Sequence, residues 1–544
     1  MAEYSKNDGS YGRSVATPEN PVLAEDLALS NAVIVEVDES AARLEHQHLR
    51  TEHLLPNIGK RAVSGGFVTV SAQVAKFLLN FAAAAVLARL LNPREFGLVG
   101  MVLGVTGLVG IFRELGLSTA TVQRETITQQ QVSNLFWINV GVSGLLSLVC
   151  FALAPLVAWF YRDPRVTGIM LAMSFTFLLT GSTVQHCALL TRQMRFRALA
   201  IIEVSSLVLG FSTACLLAWR GFGYWALVAQ QLAYAACYLM LTWCTSGWRP
   251  SMPRRNSGVR PMLSFGAHLT IADLVGRLSL NTDNILLGRF YGAEPLGLYT
   301  RANVLLARPL EQVLTPISSV LIPVLSRLQS DPARYRKTLM RAYSMFAIVV
   351  FPFAAMCLAL AKPIVLVVLG PKWLAVTPLF SAFALVAISS PLSAVISWMF
   401  ESQGRGRDQL HTYTIAGAIT VSSYVIGLHW GALGIVLSLA TASLLIRMPI
   451  VYYLVGRSGP VRTADLWSGF FAHLPCWGAF FAATMLARMS VQHARPILQL
   501  LVAAPIGLAG GIVLSLLFPQ PRHSAFYAFN TIKSTMLRKW SNAA

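Results

Sequence analysis

Apolar runs recur from residue 64 to residue 518, each about as long as the ~20 residues a helix needs to cross a bilayer. They are continuous rather than alternating, which specifies helices and not barrel strands. The sequence therefore predicts an all-α polytopic membrane protein. Charged residues make up only 12% of the 544 residues, about half the ~25% of a soluble domain. A typical soluble enzyme, a disordered chain and a collagen-like fibre are all excluded.

About fourteen transmembrane helices are expected. The first six fall at 64–91, 96–116, 134–161, 166–190, 198–219 and 222–245; the next six at 262–288, 294–326, 342–370, 374–400, 408–430 and 431–455; the last two at 463–487 and 496–518. This organisation gives an acidic, disordered cytoplasmic tail (1–60), two lobes of six helices (61–245 and 262–456), two additional helices (463–518) and a basic cytoplasmic tail (519–544).

The formal charge is +20, yet residues 1–60 hold 10 of the 23 acidic residues and only five of the 43 basic ones. A basic protein of this kind would ordinarily raise nucleic acid as a partner. Here most basic residues sit in short connections between apolar runs, so no nucleic-acid partner is expected. With the N-terminus placed inside, the inner connections carry 17 Arg and Lys and the outer ones eight. The positive-inside rule then puts both termini in the cytoplasm of a multi-pass protein.

An internal repeat is visible. Leu87-Ala88-Arg89-Leu90-Leu91 with Gly97-Leu98 aligns with Leu287-Gly288-Arg289-Phe290-Tyr291 with Gly297-Leu298 at an offset of 200. The copies are shifted by six spans, an even number, so they share one orientation. Two lobes related by an axis along the membrane normal follow.

An ionisable group at mid-bilayer costs ~2.5–3.5 kcal/mol or more, so each one demands a reason. Gln73, Lys76 and Asn80 share a helix face in the first span. Asp273, Arg277, Asn281 and Asn284 form a stripe in the seventh, and Arg301, Arg308 and Gln312 another in the eighth. Gln73 and Asp273 coincide under the 200-residue offset, as expected if both faces line a central wet cavity. Lys76, Arg277, Arg301 and Arg308 make that cavity basic and suit it to an anionic cargo, because Arg binds phosphate bidentately. The competing reading is local neutralisation: Arg277 lies four residues after Asp273, and Glu311 three after Arg308. Asp283 sits off the stripe and is expected to pair with another helix. Glu203 is a candidate coupling site, along with Asp273, Asp283 and Glu311. Gly100, Gly104, Gly107 and Gly110 give the second span a small-residue face for close packing. Pro155, Pro309, Pro316 and Pro363 are expected to bend their helices.

No nucleotide-binding loop, nucleophile elbow, metal spacing or large outer loop is present. No cofactor and no metal are expected, and the chain reads as a transporter rather than an enzyme.

The run from Leu87 to Gly97 (LARLLNPREFG) leads to Phe112-Arg113-Glu114-Leu115-Gly116-Leu117-Ser118, then Ala120-Thr121-Val122-Gln123-Arg124 and Leu135-Phe136-Trp137-Ile138-Asn139. Trp248-Arg249-Pro250, Asp283-Asn284-Ile285-Leu286-Leu287-Gly288, Leu296-Gly297-Leu298-Tyr299 and Pro323-Val324-Leu325-Ser326-Arg327-Leu328-Gln329 follow. Together these resemble the polysaccharide transporter family of Wzx-type oligosaccharide flippases, within the multidrug/oligosaccharidyl-lipid/polysaccharide exporter superfamily. The resemblance covers about residues 60–455. It implies two six-helix bundles in a V around a central cavity, and alternating access. It also implies transport of undecaprenyl-diphosphate-linked oligosaccharide across a bacterial inner membrane for exopolysaccharide, capsule or lipopolysaccharide biosynthesis. A polysaccharide polymerase and chain-length proteins are the implied partners. The alternatives are a small-cation or drug exporter of the same superfamily, a polymerase or ligase of the same pathway, and a lipid II flippase.

Overall fold

The computed structural model describes residues 58–113, 117–124, 127–254 and 281–518, and every regular element among them is helical. The N-terminal lobe contains α1 (Ile58–Leu90), α2 (Pro93–Val109), α3 (Leu117–Gln123), α4 (Gln129–Tyr161), α5 (Arg165–Gly181), α6 (Val184–Arg192), α7 (Phe196–Trp219) and α8 (Trp225–Ser246). The C-terminal lobe contains α9 (281–291), α10 (Ala293–Arg327), α11 (Pro332–Ala359), α12 (Ala361–Val368), α13 (Val376–Ala387), α14 (Ser390–Gln403), α15 (Gly406–Gly427), α16 (Gly431–Ala442) and α17 (Met448–Gly456). Two further helices, α18 (Thr463–Ser490) and α19 (Pro496–Ser515), pack on each other and dock on α11 and α12.

Ten described helices are long and apolar enough to cross a membrane, or eleven if the bent pair α13 and α14 forms one span. The count of fourteen is not reached among the described residues, for three physical reasons. The expected seventh span lies mostly outside them. The second is only 17 residues before a 3-10 turn at Gly110–Arg113. The eleventh and twelfth run without a coil break from Gly406 to Gly456, which at 1.5 Å per residue would measure about 76 Å, far more than one bilayer. The chain reverses there: a Cβ on Gly427 would lie 2.5 Å from the Gly434 carbonyl oxygen, and Gly431 supplies the turn at φ +73°. The expected tails, 1–60 and 519–544, lie almost wholly outside the described residues. Helices α4 and α10 continue through Pro155, Pro309 and Pro316, whereas a break at Leu360 precedes Pro363.

Helix α2 starts where its sequence says it should. Asn92 is the N-cap, Pro93 follows, and the Asn92 N–H donates to Glu95 Oε2 at 2.7 Å, the reciprocal half of a capping box. That start fixes the register of the contact between lobes. A Cβ added to Gly97 would overlap the carbonyl of Ala293, and one added to Gly297 would overlap the carbonyl of Pro93. Each residue meets its partner's equivalent at the 200-residue offset. The repeat in sequence is therefore a pseudo-twofold contact in space, with glycine required on both sides so that two backbones can touch.

Around it, Trp373 Nε1 donates to Ala88 O at 2.6 Å and Arg89 Nη2 donates to Val367 O at 2.7 Å. Arg289, the counterpart of Arg89, stacks its guanidinium 5.5 Å from the Phe160 ring. One buried core runs continuously through both lobes here, from Leu87–Val102 to Leu287–Leu306 and Trp373–Ala387.

The lobes then part. Along α2, Gly100 and Gly104 still face Leu296 and Ile285 of the other lobe at 3.6 Å, while Gly107 has nothing within 4 Å and Gly110 faces Phe177 of its own lobe. At this far end each lobe has a separate core. One is built around Leu117, Phe136 and Trp248, the other around Tyr335, Trp398 and Tyr452. The basic connections at 192–197, 249–254, 327–337 and 405–407 lie at that separated end. Among the described residues the result is a V, joined at one end and diverging toward the other.

Overpacking the joint should cost about 1–3 kcal/mol. Gly97→Ala and Gly297→Ala should each lower the thermal unfolding temperature of the detergent-solubilised protein. Gly107→Ala should leave it unchanged or raise it, since alanine is the better helix former.

Candidate functional site

The polar interior of the N-terminal lobe is created by two broken helices. Helix α2 ends in the 3-10 turn that carries Arg113, and α5 gives way to α6 at Ser182–Thr183. Irregular backbone at membrane depth is tolerated only where it is buried in protein or lines a water-filled cavity. A cavity of about 500 Å³, open on one side, is present here. Its walls include Arg113, Ser118 and Thr119, Thr183, Cys187 and Thr191, and Tyr234 and Tyr238. Arg113 Nη1 donates to Thr180 Oγ1 at 3.3 Å, and Cys187 Sγ lies 3.2 Å from the Tyr238 hydroxyl. Lys76 on α1 pairs with Glu203 on α7 at 2.7 Å. Tyr234, in the cavity wall, is on α8, which packs against α7, the helix that carries Glu203.

The C-terminal lobe has its own buried charges. Asp283 is 4% exposed and accepts from the Tyr299 hydroxyl at 2.6 Å and from the Asn284 N–H at 2.8 Å. Arg447 closes a π-helical turn, Ser443–Arg447, and its Nη1 donates to Thr420 Oγ1 at 3.3 Å. Single π-turns inside helices recur at functional sites.

The residues expected from sequence are distributed as follows. Lys76 and Glu203, read separately as cargo cation and coupling carboxylate, form a single ion pair. Asn80 donates back to the Lys76 carbonyl at 2.9 Å, and Gln73 is half-buried one turn before Lys76. Arg308 pairs with Glu311 at 3.0 Å, the local neutralisation its spacing allows, and both side chains are more than half exposed. Gln312 beside them is half-buried. Arg301 crosses to the other lobe, its guanidinium 4.1 Å above the Phe96 ring, whose edge also meets Trp373. Asp283 pairs with Tyr299 on the following helix. Asn281 and Asn284 lie on α9, with Asn284 against Gly104 of α2. Asp273 and Arg277 lie outside the described residues. The sequence reading missed Arg113 and Arg447. Arg113 stood in one of the quoted motifs without a role. Arg447 falls inside the expected twelfth span, and a search for intramembrane charge there would have found it.

A joined pair of helical lobes with polar groups between and inside them is the architecture of a multi-span membrane protein. The lipid II flippase MurJ, solved in an inward closed conformation, has the same fold. It superposes with a TM-score of 0.64 at 12% identity, over 84% of this chain and 98% of that one. The sequence profile of the polysaccharide biosynthesis protein family matches residues 86–378, and the chain belongs to that family. Among its relatives, the succinoglycan biosynthesis transport protein ExoT of Rhizobium meliloti is 27% identical over 460 residues, 82% of this chain and 91% of that protein. The lipopolysaccharide biosynthesis protein WzxC of Escherichia coli is 24% identical over 432 residues, 77% and 87% of the two chains. The teichuronic acid biosynthesis protein TuaB of Bacillus subtilis is 28% identical over 336 residues, 61% and 70%.

The Lys76–Glu203 pair makes a prediction of its own. Removing one partner leaves the other charge unpaired within a span, at a cost of about 2.5–3.5 kcal/mol. Lys76→Met and Glu203→Gln should each reduce thermal stability in detergent, and the double variant should recover most of the loss in a double-mutant cycle. Additive losses would show that the two side chains are independent.

Proposed function

We propose that this protein is a flippase, not an enzyme, and that it moves undecaprenyl-diphosphate-linked oligosaccharide across the bacterial inner membrane for surface or secreted polysaccharide biosynthesis. The observation that carries this reading is the pair of lobes joined at the Gly97–Gly297 contact, with Arg113 and the Lys76–Glu203 pair in the N-terminal lobe and the Arg308–Glu311 pair in the C-terminal one. The names of the relatives add support, since ExoT is a transport protein of succinoglycan biosynthesis and WzxC belongs to lipopolysaccharide biosynthesis.

The positive-inside bias assigns the open end to the cytoplasm, with both termini there. The lipid carrier is made on that side. A diphosphate and a sugar chain cannot cross hydrocarbon unaided, and polar groups between the lobes replace the water they leave. Cations then meet the diphosphate through charge-assisted hydrogen bonds. Opening of the Gly97–Gly297 joint and closure of the basic end would present the cargo to the outer leaflet. Rigid-body motion of packed lobes is an established form of such switching. The large core shared at the joint must be partly exchanged in that motion.

The test is made on a deletion strain. Extracted lipids should contain completed undecaprenyl-diphosphate-linked repeat units in excess, with loss of the polymer. Complementation with the native gene should reverse both. Arg113→Gln should restore less than about a tenth of the polymer at normal protein level in the membrane, equivalent to more than about 1.4 kcal/mol of lost cargo recognition. Normal lipid pools with normal polymer in the deletion strain would refute the flippase reading.

A further inference from the structure

The wall of the N-terminal cavity is rich in hydroxyl-bearing side chains, with Arg113 beside them. Two of its threonines have already spent their O–H groups on nearby backbone carbonyls. Thr183 donates to Thr180 O at 2.7 Å, and Thr191 donates to Cys187 O at 2.9 Å. What they turn outward is oxygen lone pairs. A diphosphate carries only acceptors and gains nothing from these two threonine oxygens. A sugar hydroxyl is a donor as well as an acceptor and can bond to them. In the same wall, the rings of Tyr234 and Tyr238 stack with centroids 5.7 Å apart, one helical turn apart on α8. They offer an apolar face with polar tips, the amphipathic surface tyrosine brings to a binding site. The volume of about 500 Å³ lies within the ~300–1,000 Å³ of small-molecule sites. It suits a mono- or disaccharide, not a whole lipid-linked unit. Arg113, a wall residue, supplies the cation.

From this we infer that the cavity is a saccharide subsite. It receives the sugar next to the diphosphate, with Arg113 reaching toward the phosphate, and it sorts repeat units by their hydroxyl pattern. The inference rests on the flippase reading and adds to it the part of the molecule that reads the sugar.

Cys187, in the wall, is a native reporter. The full-length protein, purified in detergent, is treated with N-ethylmaleimide, and alkylation at Cys187 is followed by peptide mass spectrometry. The probes are undecaprenyl diphosphate and the lipid-linked repeat unit extracted from the deletion strain. The lipid-linked unit should slow alkylation of Cys187 at least fivefold, and the sugar-free carrier should not. Equal protection by both overturns the subsite in favour of a headgroup site. Retention of the lipid-linked unit without any protection also overturns it and leaves the flippase reading standing. Failure of the protein to retain the lipid-linked unit at all overturns both. In cells, Thr183→Val combined with Thr191→Val removes the two acceptors while keeping the side-chain shape. It should cut export of the native repeat unit at least tenfold at an unchanged membrane level of protein, and unchanged export would refute the proposal.

Discussion

The contact of α2 with α10 at Gly97 and Gly297 is the constraint on which the rest of the structure depends. Two helices can bring their backbones together only where both lack a side chain, as small-residue interfaces in membranes require. Here each glycine meets the carbonyl of the residue four positions before its counterpart. The arrangement is self-complementary, as a twofold contact must be, although it is made within one chain. Everything that distinguishes the two ends of the molecule follows from it. The lobes are pinned where the glycines lie, Phe96 of one lobe is held between Trp373 and Arg301 of the other, and the helices diverge over the next few turns. By Gly107 an added Cβ would meet no atom within 4 Å.

Much of this was legible in the sequence, because it was written in periodicity and repetition. The apolar runs specify the helices, and the match of Leu87–Leu98 with Leu287–Leu298 specifies two lobes in the same orientation. The sequence could not show that the matching residues touch each other, since an offset of 200 is consistent with any distance between the copies. It did show small residues at 100, 104, 107 and 110. Which of them meet the other lobe depends on the angle at which α2 and α10 separate, a property of the whole packing.

The site was less legible, for a different reason. Spacing along one helix identifies partners on that helix, and Arg308 with Glu311 was found that way. Partners on other helices leave no local trace. Lys76 and Glu203 are 127 residues apart and form one pair. Arg301 lacks a partner within a turn of its own helix, and its ring partner is on the opposite lobe. The cavity beside Arg113 depends on two helix breaks, at Gly110 and at Ser182, that hydropathy alone runs straight through.

A carrier that flips its cargo must bind it and then release it, and the paired state of its cations bears on both. A bare Lys or Arg within hydrocarbon would be costly in the empty protein and would hold a diphosphate too firmly afterwards. Lys76 with Glu203 and Arg308 with Glu311 avoid both extremes. Under the proposed function the cargo would exchange one anionic partner for another, so its binding free energy would be a difference between two similar interactions rather than the whole of one. A ligand shifts a conformational equilibrium only by its differential affinity for the two states. A cation already satisfied by a carboxylate contributes to that difference chiefly when the lobes rearrange its surroundings. Under the proposed function Glu203 and Glu311 would belong to the transport machinery even without a coupling ion, returning to Lys76 and Arg308 when the diphosphate leaves.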